Sequence, residues 1–142
     1  MTDYKGSNYA KTVAVPPQKV DGGDYGGRTR HLYDDYVTTG AETTGDRILV
    51  GQLDPGERVL DGWLLTGGLG GAVTLKLGDA ADDGRLLAAT NVASAGLTRL
   101  SAATALGHKA AGAARVPLFL TVGGGTATAA RAIRVHLAIG RD

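Results

Sequence analysis

The residue types that most often carry chemistry are sparse in this chain. Its three histidines, His31, His108 and His136, have no metal-ligand spacing between any two of them, and no H-E-x-x-H motif is present. The sequence contains no Cys and no G-x-S-x-G motif, so it offers neither a thiolate nor a nucleophile elbow. We therefore interpret each histidine as a surface or interface residue.

A group of three nearby carboxylates is the best candidate for a small site. Asp79, Asp82 and Asp83 could contribute oxygen ligands to Ca²⁺, but their spacing is not that of an EF-hand loop. The simpler interpretation is that Asp79 caps a short helical turn over residues 80–86, with Arg85 close enough to pair with an acid. The sequence leaves ion binding by this group open.

Two glycine clusters resemble nucleotide-binding loops only in part. The cluster at 68–71 has Val73 where the last glycine of G-x-G-x-x-G belongs, and a strand rather than a helix is predicted after it. The cluster at 123–125 is followed by Thr126 and has no lysine for a phosphate loop. Both clusters indicate turns between strands. The sequence thus predicts no catalytic residue, no metal, no cofactor and no enzyme activity.

The composition favours many short strands. Gly occurs 23 times in 142 residues, whereas Phe, Trp and Met occur once each. Each interior glycine destabilises a helix by about 1 kcal/mol relative to Ala, but glycine suits tight turns. We expect a core of Leu, Val, Ile and Ala, with Trp63 as its one very large side chain.

Strand signals are clearest in the middle of the chain. Pro55-Gly56 predicts a tight turn between two strands. After the first glycine cluster, Val73, Leu75 and Leu77 face one way and give a half-buried strand. Propensity alone permits helix over residues 86–116, but repeated Gly, Ser and Asn interrupt it. There we predict weak strands at 87–92 and 98–102 and a loop at 107–115.

The last part of the chain predicts a closing hairpin. Residues 116–122 and the strand that returns to Gly140 flank the glycine turn at 123–125. Strict alternation on the return strand points four side chains towards the core, namely Ile133, Val135, Leu137 and Ile139.

These signals predict roughly eight strands without βαβ alternation. The expected fold is all-β, an antiparallel two-sheet β-sandwich, jelly-roll-like, with an extended N-terminal arm. We assign residues 1–25 to the arm and residues 26–142 to the sandwich.

The five tyrosines all fall within the first 36 residues. Tyrosine is enriched at protein interfaces because it offers a large contact area with few rotamers to freeze. The arm is therefore expected to order against a neighbouring subunit, although packing on its own domain or a loose arm stays open. The strand after Gly26 is polar on both faces, which is typical of an edge or an interface. The interface candidates are Tyr4, Tyr9, Tyr25, Arg28, Arg30, Tyr33 and Tyr36.

Charge is unevenly distributed along the chain. Residues 1–83 contain eight Lys/Arg and thirteen Asp/Glu, whereas residues 84–142 contain seven Lys/Arg and one acid. Acidic and basic strands side by side would neutralise each other. Separate acidic and basic faces would instead favour head-to-tail packing or docking on a charged shell. No nucleic acid is expected, because the basic residues are dispersed and lack interleaved aromatics.

Membrane and export signals are weak. The N-terminal residues contain no apolar run of the secretory type. No stretch approaches the roughly 20 apolar residues that span a bilayer. We expect a soluble product that contacts no membrane and leaves its host, if at all, by lysis.

Several segments, spread over nearly the whole chain, occur in a familiar order: Tyr9-Ala10-Lys11-Thr12, Val59-Leu60-Asp61-Gly62-Trp63, Leu75-Lys76-Leu77-Gly78-Asp79-Ala80-Ala81-Asp82, Arg85-Leu86-Leu87, Ala93-Ser94-Ala95-Gly96, Leu106-Gly107-His108-Lys109, Leu120-Thr121-Val122-Gly123-Gly124-Gly125-Thr126-Ala127-Thr128-Ala129 and Ile133-Arg134-Val135-His136-Leu137. In this order they resemble small structural proteins encoded among tailed-phage and prophage head genes. The chain departs from that pattern in being richer in Ala and Arg at 110–115 and 129–134.

The resemblance implies a virion protein, either a head decoration protein or the base of a vertex spike. The expected partners are copies of the chain itself, as a trimer or pentamer, and the major capsid protein. The protein would be assembled in the host cytoplasm and be part of the phage particle. Deleting residues 1–25 is expected to abolish capsid attachment while the fold stays intact. The alternative is a jelly-roll carbohydrate-binding module for host recognition, which would need exposed aromatics on a concave face.

Overall fold

The computed structural model describes residues 1–19, 29–100 and 113–141. Within these ranges the chain forms nine strands and one short helix, so the all-β prediction is confirmed. In chain order the elements are β1 (Asp3–Lys5), α1 (Ser7–Thr12), β2 (Thr29–Val37), β3 (Arg47–Leu53), β4 (Glu57–Gly67), β5 (Thr74–Gly78), β6 (Leu87–Asn91), β7 (Ala95–Arg99), β8 (Val116–Gly123) and β9 (Ala132–Arg141).

The strands form two sheets that enclose the core. The first sheet has the order β1-β3-β8-β5-β6, and the second has the order β2-β9-β4-β7. All pairings are antiparallel except that of β1 with β3, which is parallel. The two-sheet sandwich is therefore confirmed, and β2 lies at an edge as its polar pattern predicted. Jelly-roll connectivity stays a prediction.

The predicted closing hairpin is wrong. β8 pairs with β3 and β5 in the first sheet, whereas β9 pairs with β2 and β4 in the second. The segment between them crosses from one sheet to the other, a distance of about 10 Å between packed sheets. Gly124 is needed in this crossing because its φ is +74° and an added Cβ would lie 2.1 Å from the carbonyl oxygen of Ala72.

The core consists mainly of Leu, Ile and Val from both sheets and from the segments that connect their strands. The predicted inward residues of β5 and β9, and of the position just before β5, are all buried, as their alternation requires: Val73, Leu75, Leu77, Ile133, Val135, Leu137 and Ile139. The prediction for Trp63 is wrong. Its neighbour Leu64 takes the inward position on β4 and is 1% exposed, so Trp63 points outward and is half-buried.

The tight turn at residues 54–57 is as predicted, whereas the predictions for residues 80–116 are only partly confirmed. Glu57 N–H donates to the Asp54 carbonyl at 3.0 Å and Gly56 has a φ of +85°, which gives the predicted turn. Weak strands are present as β6 and β7, although β7 begins three residues earlier than predicted. Residues 80–86 form turns rather than a helical turn. Most of the predicted loop at 107–115 lies outside the described residues.

The N-terminal segment is folded onto the sandwich, which corrects the prediction of an extended arm for residues 3–12. β1 pairs with β3, and α1 follows at once. Tyr9 lies in a small buried cluster with Leu49 and Phe119 on the side of the first sheet opposite the core. The division of the chain at residue 25 stays a prediction, because residues 20–28 lie outside the described ranges.

An acid from the opposite sheet caps the short helix. Gly6 at its N-cap position makes no side-chain hydrogen bond. Instead, Asp34 of β2 accepts a hydrogen bond from Tyr9 N–H at 3.2 Å. Since β1 pairs with β3 of the first sheet and α1 is bound to β2 of the second, the N-terminal segment closes one open side of the sandwich.

Candidate interaction surface

A row of large side chains crosses the outer face of the second sheet. Tyr33 on β2 is directly opposite His136 on β9, His136 is opposite Trp63 on β4, and Trp63 is opposite Arg99 on β7. Directly opposed residues on neighbouring strands share a face and contact one another. The register thus places these four side chains in one line across all four strands.

The rings in this row, together with His31, pack into a cluster that we call the ring cluster: His31, Tyr33, Trp63 and His136. His136 is stacked on Trp63 with 4.9 Å between ring centroids and 20° between planes. Tyr33 contacts the same imidazole at 4.7 Å. His31 lies two residues from Tyr33 along β2 and therefore on the same face, and its Nε2 is 3.0 Å from Nδ1 of His136. His136 is therefore the centre of the cluster.

The position of His136 changes its titration. Burial lowers the pKa of His136 below the usual histidine value, and the nearby His31 and Arg134 lower it further. Each of these effects disfavours the imidazolium form. The imidazole at the centre of the ring cluster is consequently neutral at neutral pH.

Charged and apolar side chains surround the ring cluster. Arg99 donates hydrogen bonds to both carboxylate oxygens of Asp61, which lowers the pKa of Asp61. Arg134 is exposed and is opposite Asp35 in the register. Leu97 on β7 is 62% exposed. This combination of aromatic, arginine and exposed apolar groups is suited to recognising another surface.

The uneven charge along the sequence is largely evened out by strand pairing. β2 from the acidic part lies beside β9 from the basic part, with Asp35 opposite Arg134, and Asp61 pairs with Arg99 as Asp54 does with Arg115. The outer face of the second sheet therefore carries both signs. This arrangement favours neutralisation between neighbouring strands over separate acidic and basic faces.

The acidic group near residue 80 has a structural explanation. Asp79 Oδ1 accepts hydrogen bonds from the N–H groups of Ala81 and Asp82, at 3.0 and 2.9 Å. Its Oδ2 pairs with Arg85 Nε at 2.8 Å, so the predicted local pairing is confirmed. Asp79 thus caps a turn rather than a helix. In the described parts of the chain, no three His, Asp or Glu side chains are grouped as metal ligands would be.

Two of the predicted interface residues, Arg30 and Tyr9, are buried within their own chain. Arg30 is 6% exposed and makes a bidentate ion pair with Glu57, at 3.0 and 2.7 Å, while also donating to the carbonyl of Gln52. Tyr9 of α1 is buried against Leu49 and Phe119. Whether any candidate contacts another chain stays a prediction, but these two side chains hold the fold of their own chain.

Tyr4 and Tyr36 form a second inward group. Their rings are 6.0 Å apart, and the Tyr36 hydroxyl donates to the buried Glu42. Burial and this hydrogen bond raise the pKa of Tyr36. Burial also opposes ionisation of Glu42, but the hydrogen bonds from Tyr36 and Thr39 outweigh it and lower the pKa of Glu42. Tyr36 therefore anchors the loop that follows β2.

Only Tyr33 among the described candidates belongs to the outer face, while Tyr25 and Arg28 lie outside the described residues. Sequence reasoning missed the association of His31, Trp63 and His136 with Tyr33. Alternation places each of them on an outward position of its strand, which was the available signal. Their meeting depends on the register between strands that are distant in sequence.

In the described ranges, no helix is long and apolar enough to cross a membrane. No protein-family model matches the chain, and no curated protein matches it. Solved phage capsids do contain similar chains. One from the capsid of Ralstonia phage GP4 matches with a TM-score of 0.76 and 21% identity over 99% of both chains. Another, from the capsid asymmetric unit of cyanophage Pam1, matches with a TM-score of 0.70 and 26% identity over 87% of this chain and 92% of that one.

These comparisons confirm the resemblance to phage virion structural proteins, because both neighbours come from phage capsids. They support a capsid-related structural role in the virion particle.

Proposed function

We propose that this chain is a capsid-associated subunit, of the head decoration or vertex spike-base type, that assembles with copies of itself and docks on the major capsid protein. The observation that carries the proposal is the match to a phage capsid chain over 99% of both chains. A match of that extent makes the sandwich as a whole, rather than a small module within it, the unit that is shared. The role is structural and not enzymatic.

The outer face of the second sheet is the docking surface for the major capsid protein. Tyrosine, tryptophan and arginine are the residue types that most often carry binding energy, and this face presents Tyr33, Trp63 and Arg99 in one row. Leu97, at 62% exposure, adds apolar area beside the row. The neighbouring Asp61 and Arg134 supply charges of both signs for the polar rim of an interface.

The N-terminal tyrosines have an indirect role in this proposal. Tyr4 and Tyr9 pack within their own chain and hold β1 and α1 in place. Tyr25 and Arg28 remain interface candidates. We therefore expect that removing residues 1–25 disturbs the sandwich as well as any contact made by the arm.

Co-sedimentation with shells of the major capsid protein that lack this subunit tests the docking surface. The double variant Tyr33→Ala, Leu97→Ser is expected to bind at least tenfold more weakly than the unmodified protein, because it removes a ring and an exposed apolar side chain from the face. Val15→Ser is the matched control, since Val15 is 97% exposed but lies outside the second sheet. Equal binding by the double variant and the control would exclude this face from docking.

A carbohydrate-binding module is the second candidate function. The ring cluster favours it, because a half-buried tryptophan flanked by Arg99 and Asp61 combines a ring face with hydrogen-bonding groups. A glycan array distinguishes the two functions. Saccharide binding that is lost in Trp63→Ala would favour host recognition, whereas shell binding without saccharide binding would favour docking.

A further inference from the structure

We propose that His31 and His136 together bind a divalent transition-metal ion, of the Cu²⁺ or Ni²⁺ class, on the outer face of the second sheet. The two residues lie on the antiparallel neighbours β2 and β9. Tyr33 is directly opposite His136, and His31 is two residues away from Tyr33 on the same face. This diagonal arrangement brings Nε2 of His31 to 3.0 Å from Nδ1 of His136.

The separation of the two nitrogens fits ligands at right angles around one ion. Imidazole nitrogens bind such metals at about 2.0–2.1 Å. Two nitrogens in neighbouring positions of a square-planar or octahedral site are then about 2.9 Å apart, and about 3.3 Å apart in a tetrahedral site. The 3.0 Å found here is closer to the right-angled arrangement, which Cu²⁺ and Ni²⁺ prefer with nitrogen and oxygen ligands.

Both imidazoles can act as ligands without losing a proton. Without metal, a contact of this length is a hydrogen bond in which one ring nitrogen donates to the other. On metal binding, the shared proton moves to the other nitrogen of its own ring, so that His31 offers the Nε2 lone pair and His136 offers that of Nδ1.

The surrounding structure holds the pair in this geometry. The His136 ring is stacked on Trp63 and contacts Tyr33, so its orientation is fixed before an ion arrives. No third metal-ligating side chain joins the pair among the residues that the structure describes. Water would complete the coordination, leaving positions that a ligand from a second molecule could occupy. The site does not depend on capsid association.

The single tryptophan supplies a direct readout. Trp63 is the only Trp in the sequence, and its ring centroid is 4.9 Å from that of His136. An ion bound at Nδ1 of His136 would therefore quench the Trp63 fluorescence efficiently if it is Cu²⁺. The experiment is a fluorescence titration of the full-length, tag-free protein with Cu²⁺ at pH 7.5, with electron paramagnetic resonance to count nitrogen ligands.

The unmodified protein is expected to show saturable quenching at one equivalent and a spectrum with two imidazole nitrogens. His31→Ala should weaken binding at least tenfold and leave one nitrogen, and because His31 is exposed, its loss should leave the fold intact. His136→Gln is the second variant and should behave alike. His108→Ala is the matched control and should bind like the unmodified protein. Unchanged binding in His31→Ala, or no saturable quenching in the unmodified protein, would overturn the proposal.

Discussion

The outer faces of the two sheets differ in whether the N-terminal segment covers them. On the first sheet, Tyr9 of α1 covers Leu49 and Phe119, so that part of the face becomes a second small core. On the second sheet, the helix packs on the edge strand β2 rather than over β9 and β4, and rings occupy the centre of the face. The chain thus uses its own N-terminal segment to cover apolar surface on one side. On the other side, it presents rings, arginines and Leu97 outward.

This difference indicates which face is built for stability and which for contact. The side chains that cover the outer face of the first sheet are buried, and their removal should destabilise the fold strongly. Side chains of the ring cluster are half-buried or exposed, and their removal should destabilise the fold only slightly. Four experiments sharpen or break this comparison.

The largest expected difference is between two tyrosines. Tyr9→Ala should lower the free energy of unfolding by roughly 3–5 kcal/mol, because it leaves a cavity over Leu49 and Phe119. Tyr33→Ala should lower it by less than about 1 kcal/mol, since Tyr33 is half-buried on the outer face and a cross-strand ring contact contributes little. Urea denaturation of both variants measures the difference. Equal losses would mean that the two faces are not distinct.

A buried carboxylate ties the edge strand to the loop that follows it. Glu42 accepts hydrogen bonds from Tyr36, from Thr39 and from the N–H of Gly40. Glu42→Gln places an amide N–H group against these donors. It should lower the free energy of unfolding by roughly 3 kcal/mol. Because the pKa of Glu42 is lowered in the folded state, its contribution is present above the unfolded pKa and is lost as the pH falls through the folded pKa. The free energy of unfolding, measured as the pH is lowered, should therefore fall less steeply in Glu42→Gln than in the unmodified protein. The same pH dependence in both proteins would contradict this role of Glu42.

Gly6 tests how tightly the N-terminal segment is held. A Cβ at this position would lie 2.1 Å from Oδ2 of Asp34, which is buried and caps α1. Gly6→Ala should therefore destabilise the fold by roughly 1–3 kcal/mol. Gly96→Ala is the matched control, because a Cβ there meets no atom within 4 Å. If thermal unfolding shows equal effects for both substitutions, the N-terminal segment is less firmly docked than the geometry indicates.

The smallest expected effect concerns the ring cluster. The pKa of His136 is lowered in the folded state, so the unfolded chain binds its proton more readily. Its contribution to stability is present above the unfolded pKa, near the ordinary histidine value, and is lost as the pH falls from there to the folded pKa. His31→Ala removes one of the neighbouring charges and should raise the pKa of His136 towards its usual value. Histidine NMR titration measures this shift, and a pKa of His136 that falls or stays constant would argue against the coupling.

Sequence patterns predicted the parts of the fold that depend on alternation within one strand. The inward faces of β5 and β9 and the edge position of β2 follow from residue spacing alone. The closing hairpin was wrong because alternation says which way a side chain points but not which sheet its strand joins. The prediction that Trp63 lies in the core was wrong because it rested on the size of the side chain. Alternation along β4 places Leu64 inward and therefore Trp63 outward.

Features that depend on long-range contacts were not accessible from the sequence. α1 is six residues long and is capped by Asp34, an acid 25 residues away from Tyr9 in the sequence, so no local signal marks it. The sequence predicts an interface position for Arg30, and no local pattern reveals its buried ion pair because its partner Glu57 is 27 residues away. The ring cluster likewise requires the register of β2, β9 and β4. Charge and ring content indicated interaction surfaces, but only strand pairing shows which residues share one.

A reconstruction of the virion at side-chain resolution tests capsid association most directly. We expect density for this chain on the head, as a symmetric oligomer, with Tyr33, Trp63 and Leu97 of the second sheet against the major capsid protein. A chain that is absent from the head, or one whose second sheet faces solvent while another surface contacts the shell, would contradict the proposed docking.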